Sequence, residues 1–192
     1  MKPIILIMLF VGAMFFILRP KPATSPQSTP ALQTPAPKKT AETSVSNPDG
    51  TKKLILRKEK PSGTITTYTF IVAQDNSERE IFTQSADPNT KYDIPANTWS
   101  PGENTYLFLR ETTTGTTRYL VFKATGQPFT DEEQFLEVTS LFAKTANKYR
   151  IRDITGWDSP ELLHVQTETE QGAKGPSFWF EVPSRVFLQL AS

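Results

Sequence analysis

Two apolar runs, Tyr106-Leu107-Phe108-Leu109 and Tyr119-Leu120-Val121-Phe122, decide the fold of this 192-residue chain. Each run is short, rich in aromatic and branched residues, and followed by polar residues, which is typical of a β-strand. A strand with one face in water alternates apolar and polar residues, whereas these runs are apolar on both faces. The pattern therefore predicts two paired strands that are covered on both sides, with Gly115 in the turn between them.

The same pattern occurs three times along the chain. Each copy begins with a proline-containing turn, at residues 46–50, 99–103 and 157–161. An apolar strand, a glycine turn and a second strand follow in each copy. The first strands are predicted at 54–56, 106–109 and 162–165, the glycine turns at Gly63, Gly115 and Gly172, and the second strands at 67–73, 118–123 and 177–182. Three hairpins are therefore expected, either as small stacked sheets or as a two-layer sandwich.

The first turn and strand carry a family resemblance. The run Ser46-Asn47-Pro48-Asp49-Gly50-Thr51-Lys52-Lys53-Leu54-Ile55-Leu56, with Trp99-Ser100-Pro101 in the second copy, resembles the β-propeller repeat of TolB-type proteins. In that repeat a Ser-Pro-Asp-Gly turn precedes an inner blade strand. The second copy has Gly102-Glu103 in place of Asp-Gly, and in the third copy Glu161 is followed directly by its strand.

The resemblance implies a mainly β fold, in which antiparallel sheets form a three-repeat, propeller-like array. It also implies binding of a protein or of a cell-envelope component. Closed propellers have about four blades or more. Three copies therefore predict an open or incomplete array, closed by an irregular fourth sheet, by dimerisation, or not at all.

One α-helix is expected near residues 130–147. Thr130 and Glu133 match a capping box, and Lys144 and Lys148 suit the C-terminal end of a helix. The acidic cluster is therefore interpreted as helix capping rather than as a metal site. The apolar face is expected to cover a sheet edge or face that the missing blades leave open, and it contains Phe135, Val138, Thr139, Phe142 and Ala146.

The N-terminus is predicted to be a membrane anchor at residues 1–19. Residues 3–18 carry no charge and lie between Lys2 and Arg19, which favours a single helix in contact with the lipid bilayer. A cleaved signal peptide is the alternative. More basic residues follow the segment than precede it, but a basic residue before an apolar run at the N-terminus is how export signals begin. The C-terminal domain is therefore expected to be extracytoplasmic, in a single-pass membrane protein.

Residues 20–46 are predicted to be a disordered stalk, and residues 47–192 the β domain. The stalk contains six prolines among Thr, Ser, Ala, Gln and Lys. Such a composition cannot bury enough apolar surface to offset the entropy lost on ordering. An extended stalk would span up to about 80 Å. A proline-rich ligand for a partner domain is the alternative for this segment.

Composition excludes several kinds of chemistry. The formal net charge is +1, so no nucleic-acid partner is predicted, and the chain has no cysteine. The one histidine, His164, lies in an apolar strand without a Gly-x-Ser-x-Gly elbow and is interpreted as a packed strand residue. Two carboxylate pairs, Glu168 with Glu170 and Asp153 with Asp158, lack the apolar setting that acid–base catalysis requires. No catalytic residue, metal site or cofactor is predicted, and no binding residue is assigned.

Aromatic residues offer two interpretations. Phe178-Trp179-Phe180 lies in one strand, where alternation places Trp179 opposite to its two neighbours. In a propeller-like array all three of these side chains would lie in stacked faces, and Trp99 and Trp157 occupy equivalent positions in two copies. The aromatic residues are therefore interpreted as core residues. A platform for carbohydrate or peptide is the alternative.

The predicted function is a non-enzymatic interaction module, anchored to the membrane and binding an unidentified protein or envelope component. Two alternatives belong to other classes. One is a structural homodimer in which two three-blade halves close a ring. The other is a membrane-tethered hydrolase or sensor subunit, which would need His164 beside a serine and an acid.

Overall fold

The computed structural model describes residues 40–62, 64–146 and 148–191, which form three four-stranded antiparallel sheets and one helix. The strands of each sheet pair in chain order. The first sheet contains β1 (Thr40–Ser46), β2 (Lys52–Ser62), β3 (Ile65–Gln74) and β4 (Ser77–Ala86). The second contains β5 (Lys91–Asp93), β6 (Tyr106–Thr113), β7 (Thr116–Lys123) and β8 (Leu136–Glu137). After helix α1 (Val138–Thr145), the third contains β9 (Arg150–Trp157), β10 (Leu162–Glu168), β11 (Lys174–Glu181) and β12 (Val186–Gln189). The prediction of repeated antiparallel units is confirmed.

The hairpin turns form where glycine was expected. Gly115 joins β6 to β7 with φ of 81°, and Gly172 lies between β10 and β11 with φ of 82°. Side chains with a Cβ rarely adopt this left-handed conformation, so glycine lets both hairpins close without strain. Gly63, the third predicted turn glycine, lies outside the described residues.

The three sheets share one hydrogen-bonding register. A backbone N–H before the second strand of each sheet donates to the carbonyl that starts that strand, in Asn47→Lys52 (3.0 Å), Ser100→Tyr106 (2.9 Å) and Asp158→Leu162 (3.0 Å). Counting from these bonds defines equivalent positions in the three sheets. Three cross-strand pairs then occupy the same position in the three sheets: Leu54 with Val72, Phe108 with Val121, and His164 with Trp179.

The second sheet lies between the other two. Leu107, Leu109, Leu120 and Phe122 belong to a buried cluster with residues of the first sheet such as Leu54, Leu56 and Phe70. The alternate residues Phe108 and Val121 belong to another cluster with Leu163, Val165 and Phe180 of the third sheet. The prediction that β6 and β7 are covered on both sides is confirmed, since each face packs on a different neighbouring sheet.

The helix is shorter than predicted and lies elsewhere. It begins at Val138, because Leu136 and Glu137 pair with β7 as a fourth strand and cannot be helical. The expected capping box at Thr130 is wrong: the helix has no side-chain cap, and Glu133 instead pairs with Arg185 at 2.6 Å.

The face of the helix also differs from the expectation. Its buried residues Val138 and Phe142 pack between the second and third sheets, so it does not cover an outer face. Phe135, expected on the same face, packs against the cluster between the first and second sheets.

The domain begins earlier than residue 47. Residues 40–46, assigned by sequence to the stalk, form strand β1 and pair with β2. Every residue of β1 except Val45 is exposed, so an edge strand here needs no apolar pattern. No helix in the described part of the chain is long and apolar enough to cross a membrane. The predicted anchor, residues 3–18, and the stalk up to residue 39 lie outside the described residues.

Candidate binding surface

Among the described residues, the stack leaves two sheet faces without a neighbouring sheet, and the face of the first sheet is polar. The register places Ile55 beside Ile71 at its centre, and both are only 5% exposed although they belong to neither core cluster. The guanidinium of Arg57 bonds the carboxylates of Glu42 and Glu78, each at 3.0 Å. These hydrogen bonds, first that to Glu42, raise the pKa of Arg57. The arginine reaches Glu78 across the row that contains the two isoleucines.

Several hydroxyl groups lie on the same face. Thr69 bonds Thr83 at 3.2 Å, Thr67 lies 3.1 Å from Ser85, and Thr83 donates to Glu80 at 2.8 Å. Each hydroxyl can also bond water, so the face stays hydrated. The outer face of the first sheet is therefore a polar surface on which the two isoleucines are almost fully covered.

The outer face of the third sheet is more apolar. Val186 and Leu188 of β12 are 44% and 45% exposed, and the register pairs them with Glu181 and Trp179. Only three large hydrophobic residues in the described part of the chain are this exposed, and Ile65 is the third. Adjacent exposed apolar residues mark interaction sites more often than scattered ones do.

Trp179 is fixed in place on this face. Its indole N–H donates to the Asp158 carboxylate at 2.6 Å, which joins β11 to the turn that precedes β10. Its neighbours Phe178 and Phe180 are buried on the opposite side, so the predicted alternation is confirmed. The expectation that Trp179 also lies in a stacked face is wrong, because its side of the sheet faces outward beside the exposed Leu188. A large ring held by a hydrogen bond offers contact area with little further loss of entropy on binding.

The other two tryptophans connect the sheets. The Trp99 indole donates to the Val45 carbonyl at 3.1 Å, and the Trp157 indole donates to the Thr98 carbonyl at 2.9 Å. Because Val45 and Thr98 are equivalent positions, the same bond links the first sheet to the second and the second to the third. The interpretation of these two aromatics as core residues is confirmed, since both pack against the buried clusters.

His164 lies on the outer face of the third sheet, opposite Trp179. Its Nδ1 is 2.6 Å from the Thr155 hydroxyl. Within the described residues its ring makes no hydrogen bond to a serine or an acid, which a hydrolytic triad would require.

The two predicted carboxylate pairs do not act as pairs. Glu168 bonds Arg150 at 2.7 Å, whereas Glu170 is exposed at the turn. Asp153 accepts the Tyr119 hydroxyl at 2.9 Å, while Asp158 holds Trp179. Burial, together with the bond to Asp153, raises the pKa of Tyr119. Across residues 40–191 with their two gaps, no group of three or more His, Asp and Glu residues could hold a metal ion.

One buried acidic residue was not predicted from the sequence. Glu111 is 3% exposed and pairs with Arg118, its cross-strand partner in the β6–β7 hairpin. Burial and the nearby Glu111 charge raise the pKa of Tyr92 to about 12. The sequence could have predicted this ion pair, because a hairpin centred on Gly115 places residues 111 and 118 opposite each other.

Comparison with known proteins gives no relative: no family model, no curated protein and no solved structure matches the chain.

Proposed function

We propose that this chain is a membrane-anchored, extracytoplasmic binding module that uses the outer face of the third sheet to contact a protein partner. The exposed row of Val186 and Leu188 beside Trp179 carries the proposal. An apolar row flanked by groups that can form hydrogen bonds, such as Glu181 and His164, has the mixed character of a protein interface. The anchor at residues 3–18 and the extracytoplasmic location rest on the sequence pattern alone.

We also propose that the sheets form an open, propeller-like array. In support, each sheet is a four-stranded meander in chain order, and equivalent tryptophans link successive sheets. A ring closed by two copies would press the outer face of the first sheet onto that of the third. Burying the ion pairs of Arg57 in that contact would cost more in desolvation than the polar face could return. The open form needs no such contact.

Site-specific photo-crosslinking in the native membrane tests the binding face. A photoreactive amino acid replaces Leu188 in the full-length chain, and in a matched chain it replaces Thr83 on the outer face of the first sheet. We expect position 188 to crosslink to one defined protein and position 83 to give no such product. Val186→Lys should reduce the product about tenfold or more, because a buried unpaired charge opposes association. The control Ser85→Lys, on the first sheet, should leave it unchanged.

Two results would overturn the proposal. Equal crosslinking from both positions would show that neither face is selective. A product with twice the mass of the chain, lost on Val186→Lys, would replace the protein partner with a second copy and favour the homodimer.

A further inference from the structure

A basic recess opens at one end of the contact between the first and second sheets. It has a volume of about 530 Å³, within the usual range for small-ligand sites. Its walls come from the ends of β1, β2 and β3 and from the segment that leads into β5. The lining residues are Ala41, Lys58, Lys60, Thr64, Thr66, Tyr68, Pro88 and Lys91.

Three ammonium groups line this recess and no carboxylate does. In the described part of the chain every ion pair uses an arginine, so Lys58, Lys60 and Lys91 have no acidic partner there. Three like charges around one concavity repel each other, and an anion placed between them would remove that repulsion. The recess therefore has the charge of an anion site.

The base of the recess is rigid. Tyr68 is 6% exposed, and its hydroxyl donates to the Thr90 carbonyl at 3.2 Å. The Lys58 ammonium lies 5.8 Å from the centre of the Tyr68 ring, a cation–π distance that holds the lysine over the aromatic face. Thr66, which is 7% exposed, adds a hydroxyl group. A ligand would therefore meet a base built from buried residues and one lysine held over it, while Lys60 and Lys91 are exposed at the rim.

The repeat provides an internal comparison. Between the second and third sheets, a polar recess of about 400 Å³ opens at the equivalent end, where Thr112 and Thr117 replace Lys58 and Tyr68. Arg110 and Arg152 line that recess, but Arg110 is held by Asp93, with its Nε 3.1 Å from the carboxylate, and Asp153 lies in the lining. That recess contains its own counter-charges. The lysine recess, built on the same register, has none among its lining residues.

We propose that the lysine recess binds a ligand through a phosphate or carboxylate group, with Lys58, Lys60 and Lys91 contacting the anion and Tyr68 and Thr66 forming the base. The site is separate from the outer face of the third sheet and does not depend on it. The recess is large enough for a sugar-sized body that carries the charged group.

Isothermal titration of the full-length chain in a nonionic detergent tests the site with three probes. Glucose 6-phosphate and glucuronate present the two anionic groups on a sugar, and glucose is the neutral probe. We expect one anionic probe or both to bind at one site per chain, more weakly at 300 mM than at 50 mM salt, and glucose not to bind. Stronger binding of glucose 6-phosphate would assign phosphate as the ligand group, and stronger binding of glucuronate would assign carboxylate.

Matched variants separate the recess from general electrostatics. Lys58→Gln/Lys60→Gln/Lys91→Gln removes three charges from the recess and should weaken binding about tenfold or more. Lys53→Gln/Lys144→Gln/Lys174→Gln removes three charges elsewhere and should change it by less than about twofold. If the first triple variant unfolds, Lys60→Gln/Lys91→Gln alters only exposed lysines and should still weaken binding several-fold. Equal losses in the two triple variants, or no binding of either anionic probe, would overturn the proposal.

Discussion

The outer faces of the first and third sheets differ in how their residues replace the apolar residues that the second sheet uses for packing. Each face lies at one end of the stack. The equivalent residues of the second sheet pack against a neighbouring sheet. On the first sheet, Lys53 and Ala73 stand where the second sheet has Leu107 and Phe122. Two of the large residues that would contact a preceding sheet are absent, while Ile55 and Ile71 remain and Arg57 extends across their row.

The outer face of the third sheet is the more apolar of the two. His164 stands where the second sheet has Phe108, and Ser177 occupies the position of Tyr119. Trp179, however, replaces the equivalent Val121 with a larger ring. Repeat proteins generally have terminal repeats with a polar outer face, which keeps the stack soluble. Substitutions at the outer positions therefore make each end sheet less apolar there than the second sheet, and the third sheet still exposes Val186 and Leu188 beside Trp179.

The largest effect should come from the same position in an interior and a terminal sheet. Phe108→Ala should cost about 3–5 kcal/mol of unfolding free energy, because the ring is fully buried between two sheets. His164→Ala, at the equivalent position on the outer face, should cost less than about 1 kcal/mol. Urea unfolding of the full-length chain, followed by tryptophan fluorescence, measures both. A loss for His164→Ala as large as that for Phe108→Ala would mean that the outer face is covered by another molecule.

A smaller effect should distinguish the tryptophans that link sheets from the one on the outer face. Trp99→Phe and Trp157→Phe each remove an indole bond to a carbonyl of the preceding sheet, and each should cost about 1–2 kcal/mol. Trp179→Phe removes a bond to Asp158 on the outer face and should change stability by about 0.5 kcal/mol or less. The same urea titrations apply. If Trp179→Phe proved the most costly of the three, the division between interior and terminal positions would be wrong.

The buried strands could be predicted from the sequence, because burial leaves a pattern of apolar residues. Strands β6 and β7 pack on two sheets, so both of their faces are apolar, and this predicted their environment correctly. The alternation of Phe178, Trp179 and Phe180 likewise placed Trp179 opposite its two neighbours, but it did not predict that this side of the sheet faces outward. These positions are dictated by the hydrophobic effect, which a single sequence displays directly.

The peripheral strands left no such pattern. β1 and most of β4 are exposed, so their residues are polar and resemble a linker. Residues 130–137 carry helix-capping signals, but pairing of β8 with β7 outweighs local propensity. The lysine recess joins β1, β2, β3 and the approach to β5, residues far apart in sequence, and only the three-dimensional register brings them together.

The smallest effect concerns the ion pairs of the two terminal sheets. Arg57→Gln removes the bonds to Glu42 and Glu78 and uncovers Ile55 and Ile71, so it should lower the urea midpoint slightly and increase binding of an apolar dye. Part of the loss should disappear at 1 M salt, where ion pairs near the surface are screened. Arg150→Gln is the matched change on the third sheet. Its side chain is 61% exposed and bonds only Glu168, so we expect a smaller shift and no gain in dye binding. Equal responses of the two variants would show that Arg57 is an ordinary surface ion pair and that the first sheet needs no cover.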